Sequence, residues 1–295
     1  MNLLSLSDPL GPLIARRIQE LTGSSASLEP FAQAQGDPGL LGPHSVAWRV
    51  HAHFTAMMVG GLSSLLVQSL HPRALAAVWD HSDFQQQLKP RLGRTAYFVA
   101  CTTYGPTELA LAAIDRVNRI HAQIKGHDRQ GLPYVANAPD LIRWVHLAEV
   151  QAFLNAYQHL SPSPLRPSAC DQYMAEMCRI GHRLGAHYLP TTCAGVDDAL
   201  EAYQPELAWD DRSREIWRVV QAYPVEPLDR PFMQWVLGAA LDLLPPWART
   251  LADLGPRVPW QVQARRRALQ ALNWPIQRHL DQHGIAAISR RRFEA

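Results

Sequence analysis

Cysteine is scarce and scattered: Cys101, Cys170, Cys178 and Cys193 form no Cys-x-x-Cys pair and no zinc-like cluster with histidine. That argues against a disulfide framework or a structural zinc ribbon and leaves reduced thiols as the expectation. No charged n-region followed by an apolar h-region stands at the start, so a cytoplasmic protein is expected. Long apolar runs are missing as well. The charge-free stretch from Phe54 to Leu70 is short for a membrane span and contains Gly60-Gly61, Ser63, Ser64 and Gln68, which points to a buried central helix and no transmembrane segment. Neither sign of charge dominates, with 28 Lys and Arg against 26 Asp and Glu. The basic clusters Arg265-Arg266-Arg267 and Arg290-Arg291-Arg292 lie near the C-terminus, where they suit a solvated or interface helix better than a nucleic-acid stripe.

Catalytic signatures are equally sparse. The chain has no Gly-x-Ser-x-Gly elbow, no Gly-x-Gly-x-x-Gly turn, no phosphate loop and no His-Glu-x-x-His or Glu-x-x-His unit. Serine hydrolase, dinucleotide, nucleotide and bundle di-iron chemistry therefore lack their residues.

What the chain does have is helical periodicity with helix punctuation, while alternating strand patterns are nearly absent, so the fold class is all-α. A first helix is expected after Asp8-Pro9, with Leu13, Ile14, Ile18 and Leu21 inward. A loop from Glu29 to Pro43 leads to a helix from Ser45 that bends at Gly60-Gly61 and ends at His71-Pro72. Ser82 is the expected N-cap of a helix carrying Pro90, Pro106 opens the next and Gly126 stops it. After a loop at Gly131–Tyr134, a long helix covers Pro139 to His159. Further helices are expected over Ala169–Leu184, Val196–Tyr203, Arg212–Tyr223, Phe232–Leu243, Pro246–Leu254 and Val262–His283. The last could pack on the same chain or on a neighbour, so a homodimer stays open.

His121 is the most informative residue. Helical spacing puts it one turn beyond Val117 and two beyond Ile114 on an apolar face. A histidine there is as a rule a satisfied core residue, yet a neutral imidazole delivered from a helix into an apolar pocket is also what a five-coordinate haem iron requires. Arg91 and Thr95, four apart with Arg94 between them, present two guanidiniums and a hydroxyl. Such a set can bind propionates, orient bound oxygen or hold a substrate carbonyl, or can simply make a surface salt bridge. The histidines at 51, 53, 71, 127 and 146 stay ambiguous.

Taken in order, Gly39-Leu40-Leu41-Gly42-Pro43, Trp48-Arg49-Val50-His51, Gln68-Ser69-Leu70-His71-Pro72, Arg91-Leu92-Gly93-Arg94-Thr95, Tyr104-Gly105, Arg116-Val117 with Ile120-His121, Gly126, Gly131-Leu132-Pro133-Tyr134, Asp140-Leu141-Ile142, Trp144-Val145-His146 and Leu244-Pro245-Pro246-Trp247 resemble the MpaB-type and rubber-oxygenase (latex clearing protein) family. Each piece is weak; the combination is specific.

The resemblance implies a single helical domain with a globin-like core holding haem b, and oxidative chemistry with O2 on an apolar small molecule; rubber-cleaving members split carbon–carbon double bonds to carbonyl products. It divides the chain into an N-terminal helix and loop (1–38), a haem-binding oxygenase-like domain (39–255) and a C-terminal helical extension (256–295). By motif position His121 is similar to the proximal haem ligand, and Arg91 and Thr95 to the polar pair beside the haem. The other ring nitrogen of His121 should then donate to a carbonyl or carboxylate. Arg94 falls where rubber-cleaving members carry a lysine able to occupy the distal iron position, which arginine cannot readily do. No acidic residue lies between Leu62 and Trp79, where the acid/base glutamate of rubber cleavage is sought. A non-catalytic haem or gas-binding protein is the alternative, and a haem-free scaffold the third reading.

Overall fold

Prolines open many of the helices, because a first-turn residue needs no N–H partner and the ring already holds a helical φ. The computed structural model describes residues 11–22 and 27–294. The first half comprises α1 (Gly11–Thr22), α2 (Glu29–Ala32), α3 (Val46–His51), α4 (Phe54–Gln68), α5 (Pro72–His81), α6 (Phe84–Tyr104) and α7 (Thr107–His121). A small antiparallel hairpin, β1 (Lys125–His127) with β2 (Pro133–Val135), pairs Gly126 with Tyr134. Then follow α8 (Pro139–Leu160), α9 (Pro167–Leu184), α10 (Cys193–Glu201), α11 (Asp211–Gln221), α12 (Arg230–Asp242), α13 (Pro246–Leu251), α14 (Pro259–His283) and α15 (Ile285–Glu294). The fold is all-α, as the periodicity indicates.

The core is centred on α4 against α8. Both helices are buried on most sides: α4 contributes Val59, Leu62 and Leu66, and α8 contributes Trp144, Leu147, Phe153 and Leu160. Each large side chain so enclosed contributes roughly 1.5–3 kcal/mol. Gly60 sets the spacing, since a Cβ there would stand 2.9 Å from both Ala152 O and Phe153 Cα. Two cross-links fix the register: Trp144 Nε1 donates to Gln68 O (3.3 Å), and Gln68 Nε2 donates to Val145 O (3.1 Å). These are motif residues, and here their work is architectural.

Several local expectations are corrected. The helix from Ser45 breaks at Ala52-His53 rather than bending at Gly60-Gly61, because the His53 backbone is extended (φ −83°, ψ 96°) and its Nδ1 accepts from Ala56 N–H at 3.2 Å, starting a new helix. Ser82 lies at the end of α5 and donates to Val78 O (2.7 Å) instead of capping α6. Leu13 is 54 % exposed and faces out, whereas Leu21 is buried; the Asp8-Pro9 start lies outside the described residues. The α7 helix stops at His121, short of Gly126, which pairs in the hairpin. Gly131 occupies the left-handed region there (φ +79°), which favours glycine at the turn.

The last basic cluster is more than a solvated tail. Arg292 is buried, and its guanidinium donates to Phe31 O (3.0 Å), Tyr104 O (2.9 Å) and Asp37 O (3.1 Å), pinning α15 to the N-terminal segment.

Candidate functional site

Pro90 has no N–H and its ring crowds the carbonyl one turn back, so α6 cannot start as a regular helix; Gln87 departs from helical angles (φ −126°, ψ 39°). Beyond this kink α6 runs regularly and carries Arg91, Arg94 and Thr95. Arg91 is half-buried, and its Nη1 donates to Ser82 Oγ at 2.9 Å. Among the described residues no carboxylate stands within ion-pair distance of it. Burial, with a smaller push from Arg94, brings its pKa down to about 10, so the guanidinium is still charged at neutral pH and has donors to spare. Arg94 is exposed, and so is Thr95, whose hydroxyl makes only a long bond to Arg91 O (3.3 Å).

On α7, Ile114 is buried and Val117 and His121 are half-buried, so the apolar face does point inward. The His121 Nδ1 is buried and has no hydrogen-bond partner; the acceptor expected from the sequence is not there. Nε2 likewise has no protein partner but is accessible. Burial, then the nearby positive charge of Arg91, lowers the pKa of His121, so the ring is neutral at pH 7 and belongs to the same electrostatic neighbourhood as Arg91. Folding thus unites an imidazole and a guanidinium thirty residues apart, with Thr95 one turn along from Arg91.

Of the other histidines, His51, His53 and His146 have structural contacts, His127 is exposed, and both ring nitrogens of His71 are buried without a hydrogen-bond partner. His51 Nδ1 meets Thr103 Oγ1 at 2.8 Å and its Nε2 meets Tyr173 OH at 3.0 Å; burial pulls its pKa down to about 3. His53 caps α4, His127 sits on β1 at the surface, and buried His146 packs against Gly181. His71, 1 % exposed, lies 3.6 Å from Glu206 Oε2 and against the Trp144 and Tyr203 rings.

Sequence reasoning missed Glu149. It lies on α8 one turn after His146, is half-buried, accepts no hydrogen bond from the protein, and its charge reaches Tyr173. Burial pushes its pKa up to about 7. A helical pattern marks Glu149 as one polar position among apolar ones, and only the packing of α8 reveals that it faces inward. A raised carboxyl pKa means that the unfolded chain ionises first, so stability falls as pH rises from about 4.5 toward 7 and stays reduced above that. Glu149→Gln is therefore expected to stabilise the protein by about 3 kcal/mol near pH 8 but under about 1 kcal/mol near pH 5, read by chemical denaturation at both. Equal gains at the two pH values would refute ionisation as the cause.

Two cavities lie elsewhere. One, of about 480 Å³, is lined by α2 and α15 residues including Glu29 and Arg291; the other, of about 540 Å³, by residues including Gln151, His159, Asp242 and Trp247. Among the described residues no three His, Cys, Asp or Glu side chains converge as ligands for a bare metal ion. The donor set around His121 suits instead an ion that brings its own macrocycle. One neutral imidazole could supply a single bond to such an ion, and a guanidinium without a carboxylate could meet anionic substituents.

No curated protein matches the chain. The solved structure described as "Structure of Latex Clearing Protein LCP in the closed state" is similar in fold, with a TM-score of 0.53 and 14 % identity over 98 % of this chain and 89 % of that one. The family model described as "ER-bound oxygenase mpaB/B'/Rubber oxygenase, catalytic domain" matches residues 48–278, which include α4 to α13, Arg91, Thr95 and His121. With most of its length matched, the chain belongs to the mpaB/rubber-oxygenase catalytic-domain family.

Proposed function

We propose that the protein is a haem b-dependent oxygenase that uses O2 on an apolar small molecule, oxidative cleavage of a carbon–carbon double bond being the specific reaction. One observation carries this reading beyond the family: a neutral, half-buried imidazole with an open Nε2 lies in the field of a half-buried guanidinium that has no carboxylate. Haem, when bound, supplies the iron at which dioxygen is activated. His121 would hold that iron, its Nε2 being accessible and unpartnered and its ring neutral at pH 7. Arg91 would offer its remaining N–H groups to an anionic substituent of the haem or to the substrate, while its bond to Ser82 Oγ restrains the guanidinium. Thr95 adds a hydroxyl one turn further along α6. Arg94 carries a permanent charge and does not take the place of a ligating lysine.

The deciding experiment is haem reconstitution followed by ferric and ferrous absorption spectra and oxygen uptake with an apolar alkene. A Soret band with alkene-dependent uptake is the expected result. Protein that stays colourless after reconstitution overturns the haem assignment. A Soret band without substrate-dependent uptake leaves the gas-binding reading.

A further inference from the structure

We infer that the outward face of α14 is a docking surface for an anionic lipid bilayer. The inference is independent of the haem site. Trp260 and Trp274 on this helix are 70 % and 66 % exposed, although Trp48, Trp144 and Trp217 are all buried. Their fourteen-residue separation is four helical turns less about 40°, which places both rings on one side. Arg267 lies midway between them, and Arg278 follows one turn after Trp274, its guanidinium 5.8 Å from that ring. The stripe from Trp260 to Arg278 is about 27 Å long.

Charge selects the occupant. Residues 254–295 carry eight arginines against Asp281 and Glu294, a net +6, whereas residues 1–253 carry 20 basic and 24 acidic side chains, a net −4. No carboxylate falls between Asp253 and Asp281. On the inward flank Arg265 is neutralised by a two-pronged pair with Asp242, at 2.8 Å for both Nε–Oδ2 and Nη2–Oδ1; neither Arg267 nor Arg278 has a carboxylate partner.

Indole rings settle at the headgroup level of a bilayer with their apolar edge toward the acyl chains, and guanidiniums pair with lipid phosphates while their stems snorkel. A second copy fits less well. A two-fold contact through this face would set arginine against arginine with no carboxylate to separate them. The docking is peripheral, because among the described residues no helix is long and apolar enough to cross a membrane.

The test is flotation of the full chain with phosphatidylcholine vesicles, with and without about a third phosphatidylglycerol, together with tryptophan emission. The expected result is co-flotation and a blue shift with the anionic vesicles only, weakened by salt. Both Trp260→Ser with Trp274→Ser and Arg267→Gln with Arg278→Gln should lower partitioning about tenfold or more while leaving the circular dichroism and Tm unchanged, since all four side chains are exposed. Wild type that stays unbound with anionic vesicles overturns the proposal, as does a double-tryptophan variant that binds undiminished. A dimer by light scattering that the tryptophan variant loses, without vesicle binding, assigns the face to a second copy.

Discussion

His121→Ala is expected to lose haem almost completely: after reconstitution and gel filtration the variant should be colourless while the wild type keeps its Soret band. Removing the partner of a metal-bound histidine typically costs 10–100-fold in affinity, and removing the ligand itself costs more. The rest of the fold should not suffer. His121 is half-buried at the last residue of α7, and its Nδ1 is a buried polar atom without a partner. Deleting such an atom relieves a penalty on the order of 1–3 kcal/mol, which offsets the lost packing. The apoprotein of the variant should therefore melt near the wild-type temperature, so that loss of haem cannot be ascribed to unfolding. His121→Gly supplied with free imidazole should regain the Soret band, because the cut side chain leaves space for the missing ligand. If His121→Ala retains wild-type haem content, the axial assignment is wrong.

Arg91→Met should separate stability from activity. A guanidinium held among protein atoms without a carboxylate is disfavoured by burial, and the descent of its pKa from 12.5 to about 10 corresponds to about 3 kcal/mol at neutral pH. The sign follows from the charge. A cation whose folded pKa is depressed weakens the fold at every pH below about 10, and the penalty fades only as pH climbs from there toward 12.5. Methionine fills a similar volume without the charge, so the apoprotein should become more stable by about 1–3 kcal/mol in chemical denaturation near pH 7. Turnover should meanwhile fall on the order of 10²–10³-fold with haem retained, as when a preorganised donor is removed from a reacting centre. A stabilised variant with undiminished turnover would assign Arg91 no part in the chemistry. A destabilised one would mean that its bond to Ser82 outweighs the desolvation of its charge.

The nearness of Arg91 and His121, close enough for one charge to act on the other ring, follows from the junction of their helices. The two side chains come from neighbouring helices, α6 and α7, joined by the short turn at Gly105-Pro106. Asp37 steadies that turn, its carboxylate accepting from the Gly39 N–H and from the Thr107 hydroxyl and N–H, each at 2.8 Å; against the opposing effect of burial these bonds hold the acid below the usual carboxylate range. Gly39 completes the junction, because a Cβ there would collide with Gly105 O and its φ is +73°. The glycine motif and the Tyr104-Gly105 motif therefore meet in space and set the angle between the helices that carry the candidate ligand and its polar neighbour.

Much of this was legible in the residues alone, for a local reason. The 3.6-residue period, a proline at a first turn and the inward face of α7 each act within a few positions, so α8, α9 and the Ile114–Val117–His121 stripe could be read directly. What the residues did not disclose depends on which helix lies opposite. Ser82 reads equally well as a cap or as a partner for Arg91, and His53 caps a helix only because the backbone breaks there. Arg292 reads as a tail charge until α15 folds back onto Phe31 and Tyr104. Glu149 differs from any polar residue on a long helix only once α8 is enclosed. Local pattern is enough for an all-α chain with an imidazole and a guanidinium on the faces of successive helices. Burial and pairing are set by contacts between segments distant along the chain, so it took the packed fold to leave the imidazole an unpartnered nitrogen, the guanidinium no carboxylate, and Trp260 and Trp274 outside.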